Sequence, residues 1–452
     1  MTNAKLPAPS LLRNANFIRF WTGQTISQFG AQLGQLAFPV LAVTLLGASE
    51  FQVGALNAAG MAAFLVVGLP AGAWVDRWMK RRVMIIADVV RLAFMSLVPV
   101  LWYLHVLEVW HLYVVAGAVG VATVFFDVSY QSYIPILVPG SAVADANSKL
   151  ESTAQVSRVA GPGAGGFLLT VITAPALFIG EALGYLASAL FLWRTRDSEQ
   201  PVASEDRRPL VSEIREGLSF VVRHPLISRI VLCTAGLNLF SAITYTMFPV
   251  LVLRQLDLGA AGLGLILSVG SLGGLLGAFS AVPISRKIGE GTLIPVSALV
   301  SVAFVMLVPV AALVHRHGTS MVLLMVSEFG FSFAVLAYNI MQVTMRQRVC
   351  PPRLLGRMNA SIRFVVYGVM PLSALISGLL AQYLGLVPTL WIGAIGGLPA
   401  VASVLFSPLR RMKKLPDSQS GQPEAADDPE SAAEGPAGIS SAEPMTSSRG
   451  HD

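Results

Sequence analysis

Apolar stretches long enough to cross a bilayer recur along almost the whole of this 452-residue chain. A helix needs about 20 mostly apolar residues to span the hydrocarbon core. About twelve segments meet that length: 17–46, 51–74, 82–104, 111–137, 148–171, 174–193, 226–252, 260–282, 291–314, 319–343, 355–384 and 388–407. In hydrocarbon each backbone N–H and C=O must find its partner within the segment, so these stretches have to be helical. Charged residues make up only 12% of the chain, about half the ~25% of soluble domains. The expectation is an all-α integral membrane protein with twelve transmembrane helices.

Cations sort to one side of the predicted membrane, which sets orientation by the positive-inside rule. With Lys5, Arg13 and Arg19 in the cytoplasm, the loops on that side hold Arg77, Lys80, Arg81, Arg82, Lys149, Arg194, Arg196, Arg207, Arg208, Arg215, Arg223, Arg286, Lys287, Arg346, Arg348, Arg353 and Arg357. The opposite loops carry only Arg254 and Arg316. Both termini are therefore expected inside the cell membrane, and the net charge of +6 reads as topology rather than nucleic-acid binding. The first apolar segment is too long for a signal peptide and lacks a cleavage site. Cys233 and Cys350 imply neither a disulfide framework nor a metal site.

The organisation that follows is a cytoplasmic segment 1–16, a six-helix half 17–193, a cytoplasmic linker 194–225, a second six-helix half 226–408 and a disordered tail 409–452. In the linker, Leu210, Val211, Ile214, Leu218, Val221 and Val222 recur at helical spacing between Pro209 and Pro225. That pattern fits an amphipathic helix at the interface or a solvated connector. Beyond about 415, Ser, Pro, Ala and Glu dominate and cannot bury enough apolar surface to fold. Asp127 and Asn339 are 212 residues apart, as are Asn147 and Asn359, and Gly166 and Gly378. This register suggests two pseudo-symmetric halves, as in secondary transporters whose sites lie between repeats.

Four predicted helices carry polar residues on one face. They are Gln24, Gln28, Gln32 and Gln35 on the first; Thr123, Asp127 and Gln131 on the fourth; Asn238, Ser241 and Tyr245 on the seventh; and Glu328, Ser332, Asn339 and Gln342 on the tenth. Facing lipid they would be unsatisfied. A single stripe can be packing glue, but a recurrence every third helix favours a shared polar cavity.

Charges inside the spans are the other candidates. Asp127 lies 11 residues before Val138 and Arg158 lies 11 after Asn147, so both sit ~16 Å deep. They are expected to form a buried ion pair, structural or opened by a proton or substrate. Asp88 and Arg91 are spaced i, i+3 and can neutralise each other. Glu181 and Glu328 are candidate proton carriers, since a buried carboxylate can load and release a proton. In the repeat register Glu151 falls on Arg363, a candidate clasp between the halves.

Several motifs point to a family. Gly72-Ala73-Trp74-Val75-Asp76-Arg77-Trp78-Met79-Lys80-Arg81-Arg82 resembles the second-to-third loop signature G-x-x-x-D-R-x-G-R-[RK] of the major facilitator superfamily, with Met79 in place of its turn glycine. Gly161-Pro162 with Gly165-Gly166 resembles the antiporter signature of its drug-exporting branches. Ser212-Glu213-Ile214-Arg215-Glu216-Gly217-Leu218 through Arg223-His224-Pro225 is similar to the branch of macrolide exporters, enterobactin exporters and Tap-like multidrug pumps. The resemblance covers roughly residues 14–410. It implies a cavity lined by helices 1, 4, 7 and 10, and gating at Gly72, Asp76, Arg77 and Arg81, with Asp76 latched beside helix 11. It also implies that helix 5 packs closely on helix 8 through a small face of Gly270, Gly273, Gly274 and Gly277. The family's helix 1 often carries an aspartate after Ser-Gln-x-Gly; here Ala31 follows Ser27-Gln28-Phe29-Gly30.

The expected function is secondary, proton-coupled efflux of an amphiphilic or hydrophobic small molecule by alternating access, by a monomer that uses no cofactor. A facilitator or importer, and a non-transporting sensor using the tail, are the alternatives. Enzymatic roles are disfavoured: no P-loop occurs, no metal or nucleophile–base cluster is apparent, and His105, His111, His315 and His317 fall in outer loops. The orientation is checked with fusions at the C-terminus. Green fluorescent protein placed there is expected to fluoresce and alkaline phosphatase to stay inactive; the opposite pattern reverses every assignment of side.

Overall fold

A computed structural model of the chain describes residues 11–75, 77–196, 199, 218–314, 316–351 and 354–413. Twelve long helices run through them: α1 (Ala15–Leu45), α2 (Glu50–Val75), α3 (Lys80–Tyr103), α4 (Val109–Leu137), α5 (Val143–Leu168), α6 (Ala174–Arg194), α7 (Pro225–Gln255), α8 (Gly259–Ile288), α9 (Glu290–Leu313, interrupted at Met306), α10 (His317–Val349), α11 (Leu355–Leu384) and α12 (Leu386–Leu405). No strand occurs among the described residues. Eleven helices are long and apolar enough to cross a membrane. The remaining one, α5, carries Asp145, Lys149, Glu151 and Arg158 along its length.

Local chemistry explains the boundaries. The Asn14 side chain accepts the amides of Asn16 and Phe17 and starts α1. The Glu199 carboxylate accepts the amides of Lys80 and Arg81 at the start of α3, where a negative group suits the helix dipole. Gly289 and Gly385 each form a one-residue link between helices, with φ of 106° and 88°, a conformation in which a Cβ is strained. Pro39 and Pro249 precede wide π-type turns at Leu41–Leu45 and Leu251–Gln255.

Helices α1 to α6 form one packed group, with α1 on α5 and α6, α3 on α4 and α6, and α2 on α4. Helices α7 to α12 form another, with α7 on α11 and α12, α8 on α10, and α9 on α10 and α12. The groups meet along α2–α11 and α5–α8. Both seams are backbone contacts made possible by glycine. A Cβ on Gly54 would lie 2.6 Å from the Ala374 carbonyl, and one on Gly264 2.3 Å from that of Pro162. Gly166 faces Gly264 just as Gly378 faces Gly54 and Phe51, so a register of 212 residues at Gly166 and 210 at Gly54 relates the two seams. At the same end Arg254 donates to Glu50 at 3.0 Å and to the Ala48 carbonyl at 2.6 Å.

Three expectations are revised. The Gly270–Gly277 face of α8 packs on α10, not α5: a Cβ at Gly273 or Gly277 would meet the Phe329 or Phe333 carbonyl at 2.2 or 2.3 Å. Arg346, taken as a loop cation, lies inside α10 and is buried, because that helix continues beyond its apolar stretch. The chain after α12 stays docked: Leu409 is buried, and the amides of Glu290 and Gly291 donate to the Lys413 and Met412 carbonyls. The rest of the expected tail lies outside the described residues. So does most of the linker helix, of which residues 218–223 are helical, with Val221 buried in the cluster of Ile227 and Met358.

Leucine at Gly264 must part α5 from α8, whereas Gly140 has open space around it. With cysteines introduced in place of Glu50 and Arg254, Gly264→Leu is expected to abolish their crosslinking in membranes and Gly140→Leu to leave it intact.

Candidate functional site

Between the two groups lies a cavity of about 1120 Å³. Polar side chains reach it from many elements: Gln32 and Gln35 of α1, Asn57 of α2, Thr123 and Asp127 of α4, Arg158 of α5, Asn238, Ser241 and Tyr245 of α7, and Glu328 and Ser332 of α10. Helical spacing aims these residues, and the cost of facing lipid keeps them inward. A smaller cavity of about 310 Å³ lies within the second group and shares Asn238, Ser241, Phe331 and Val335 with the larger. Asn339 and Gln342 line this smaller space instead.

Asp127 and Arg158 line the same cavity, but no ion pair within 4.0 Å joins them. The expected ion pair is therefore not formed in the structure. Glu328 is fixed by the Tyr245 hydroxyl, which donates to its Oε2 at 2.8 Å across the α7–α10 contact. Gly270 leaves room for that carboxylate, since a Cβ there would lie 3.3 Å from Glu328 Oε2.

Glu181, Asp88 and Arg91 are absent from the cavity lining and form a buried cluster inside the first group. Arg91 pairs with Asp88, and its guanidinium stacks over the rings of Phe126 and Tyr185 at 4.1 and 4.4 Å. The Tyr185 hydroxyl donates to Glu181 Oε1 at 2.7 Å, while Oε2 finds no partner. Gly34 makes this placement possible, because a Cβ there would lie 1.4 Å from Glu181 Oε2. Arg91 also interacts electrostatically with Asp127 and Glu181, so one cation serves three carboxylates.

The remaining candidates are placed individually. Gln24 donates to Ser188 at 3.0 Å and is buried against α6, so it is packing glue; Gln28 and Gln131 also lie outside the cavity linings. Gly161 and Gly165 abut Gln32 and Leu33 of α1, and Pro162 lines the large cavity. Arg81 donates to the Leu192 and Trp193 carbonyls at 2.9 and 2.8 Å, capping the end of α6. Gly72 is in the last turns of α2 and Arg77 is exposed; Asp76 lies outside the described residues. Glu151 accepts from Gln155 at 2.6 Å and makes no ion pair with Arg363. Asn57 of α2 also lines the large cavity; its signal in the sequence is an amide deep in the apolar run 51–74. Arg346 lines the smaller cavity rather than the loop in which its charge suggests it lies.

Comparison with known proteins fits this arrangement. Residues 7–439 match the family described as transmembrane secretion effectors. The chain is similar to the multidrug efflux pump Tap of Mycolicibacterium fortuitum, 26% identical over 363 residues that cover 78% of this chain and 85% of that one. It is 20% identical to macrolide efflux protein A of Streptococcus pyogenes over 406 residues, 88% of this chain and 97% of that protein. Among solved structures it resembles a bacterial homologue of the iron transporter ferroportin in an inward-facing state, with a TM-score of 0.70 at 15% identity, over 88% of this chain and 99% of that one. At that identity the likeness is one of fold.

Removing Arg91 strands Asp88 in a site with 0% exposure. Arg91→Met is expected to destabilise the protein by about 3–5 kcal/mol, with Asp88→Asn/Arg91→Met recovering part of the loss. Thermal unfolding of the detergent-solubilised protein measures both.

Proposed function

The chain belongs to the transmembrane secretion effector family of the major facilitator superfamily, and from that membership we propose that it exports an amphiphilic or hydrophobic small molecule in exchange for protons. It is a membrane transporter and not an enzyme. The observation that carries the proposal is the large cavity: both helix groups bound it, and it holds Asp127, Arg158 and Glu328. Efflux is also what the names of Tap and macrolide efflux protein A describe.

The mechanism follows from the seams. Glycine contacts along α2–α11 and α5–α8, with the Glu50–Arg254 pair, hold the groups together at the end with few loop cations. By loop charge this is the outer end, so the state is open to the cytoplasm. Rocking about the two seams exchanges the open side. On closure of the cytoplasmic side, Glu151 meets Arg363 and Asp76 latches near the start of α11. The cycle is that of a monomer in the plasma membrane, with both termini in the cytoplasm.

Protons and substrate share the cavity. The polar face formed by Gln32, Gln35, Asn238 and Ser241 contacts the substrate, while Phe64, Phe248 and Phe331 supply apolar surface. Glu328 and Asp127 carry protons: each is a carboxylate beside the cavity whose exposure changes when the groups rock. Arg158 responds by its charge, attracting Asp127 once that group is ionised. The Asp88–Arg91–Glu181 cluster sits behind Asp127 and sets the field that it feels.

Cells loaded with a lipophilic cationic dye test this reading. Wild type is expected to extrude the dye and an uncoupler to stop it, while Asp127→Asn and Glu328→Gln each slow uncoupler-sensitive efflux at least ~tenfold. Arg158→Ala is expected to slow it as well. Undiminished efflux in all three variants overturns the assignment of these residues, and uncoupler-insensitive efflux by wild type overturns proton coupling.

A further inference from the structure

The smaller cavity carries an unbalanced positive charge. Among the described residues, its ionisable lining apart from tyrosine is Arg346 of α10 and Arg363 of α11, with no carboxylate. Arg346 is 8% exposed and its Nε lacks a hydrogen-bond partner. Neither arginine makes a side-chain hydrogen bond or ion pair with another described residue, and Arg363 bears on Arg346 as a like charge. Elsewhere buried cations are matched, Arg91 by Asp88 and Lys80 by Glu199. A guanidinium cannot shed its proton, so Arg346 keeps its charge in buried surroundings that penalise it.

The rest of the cavity suits an amphiphile. Leu237, Val302, Val305 and Phe331 form apolar wall. Gln342 is buried, with Oε1 unpartnered. Through the shared Asn238 and Ser241 the space adjoins the large cavity, so a molecule anchored at the arginines extends its body toward the carboxylates.

We propose that Arg346 and Arg363 receive the anionic head of an amphiphile, a carboxylate or a phosphate. Two planar forks of N–H donors match such a group. A soluble anionic substrate and an anionic lipid headgroup share this chemistry. The site's place in a transport cycle rests on the export reading above; its binding chemistry does not.

Full-length protein in phosphatidylcholine nanodiscs, titrated with dansylaminoundecanoic acid and with its methyl ester, provides the test. Arg346→Gln and Arg363→Gln are each expected to weaken binding of the acid roughly tenfold and to leave the ester unchanged. Arg346→Lys, which keeps the charge, is expected to fall between. Arg363 is exposed, so its variant keeps the test readable if Arg346→Gln fails to fold. Unchanged affinity for the acid in both glutamine variants overturns the proposal, as does an equal loss for acid and ester. Adding phosphatidylglycerol to the nanodiscs separates the sources. Competition with the acid, together with phosphatidylglycerol retained on wild type but not on Arg346→Gln in native mass spectrometry, assigns the site to lipid; absence of competition assigns it to a soluble anion. Export of the ester from proteoliposomes reads the transport reading separately, so failure of either proposal is distinguishable from failure of the other.

Discussion

Hydrocarbon neither hydrates a charge nor completes a backbone hydrogen bond, and the arrangement of this protein follows from managing both deficits. The backbone is satisfied by long helices joined by links as short as Gly289 and Gly385. Side-chain charge is handled in two ways. Arg91 is enclosed with Asp88 and two aromatic rings, whereas Asp127 and Arg158 stand in open space between the helix groups. An enclosed pair is inert until it is broken; a cavity-facing charge is available to a ligand. The same distinction separates Gln24, bonded to Ser188, from Gln32 and Gln35, which line the cavity.

Glycine lets the two groups meet without fusing. At Gly54–Gly378 and Gly166–Gly264 the backbones approach so closely that a single added Cβ would collide with a carbonyl or a Cα. Side chains add to these backbone contacts, as where the Phe64 ring of α2 meets the Tyr367 ring of α11 at 5.3 Å. Gly166 and Gly378 stand 212 residues apart and Gly54 and Gly264 stand 210 apart, which ties the seams to an internal duplication. The duplication also shows at the ends of α1 and α7, where Phe38-Pro39-Val40-Leu41 and Phe248-Pro249-Val250-Leu251 lead into matching wide turns.

The two groups differ in their electrostatics. In the first, one arginine serves three carboxylates. In the second, Glu328 is paired with a tyrosine, and two arginines line a cavity that no carboxylate shares among the described residues. Glu328, on α10 of the second group, and Asp127 and Arg158 of the first all line the large cavity between them.

By itself the sequence determined the number and near-boundaries of the helices, because apolar length and backbone satisfaction are local properties. It also determined the polar stripes, since helical spacing fixes which residues share a face. Which stripe residues reach open space was decided by tertiary structure: Gln24 and Gln32 share one arc of α1, and only the packing of α6 against Gln24 separates their roles. The partner of the α8 glycines was likewise beyond reach, because a small face fits any neighbour that comes close. The same holds for Arg346. Its position near the end of a helix reads as a solvated cation, and only the neighbouring helices α7, α9, α11 and α12, folding around it, make it a buried charge with no counterion among the described residues.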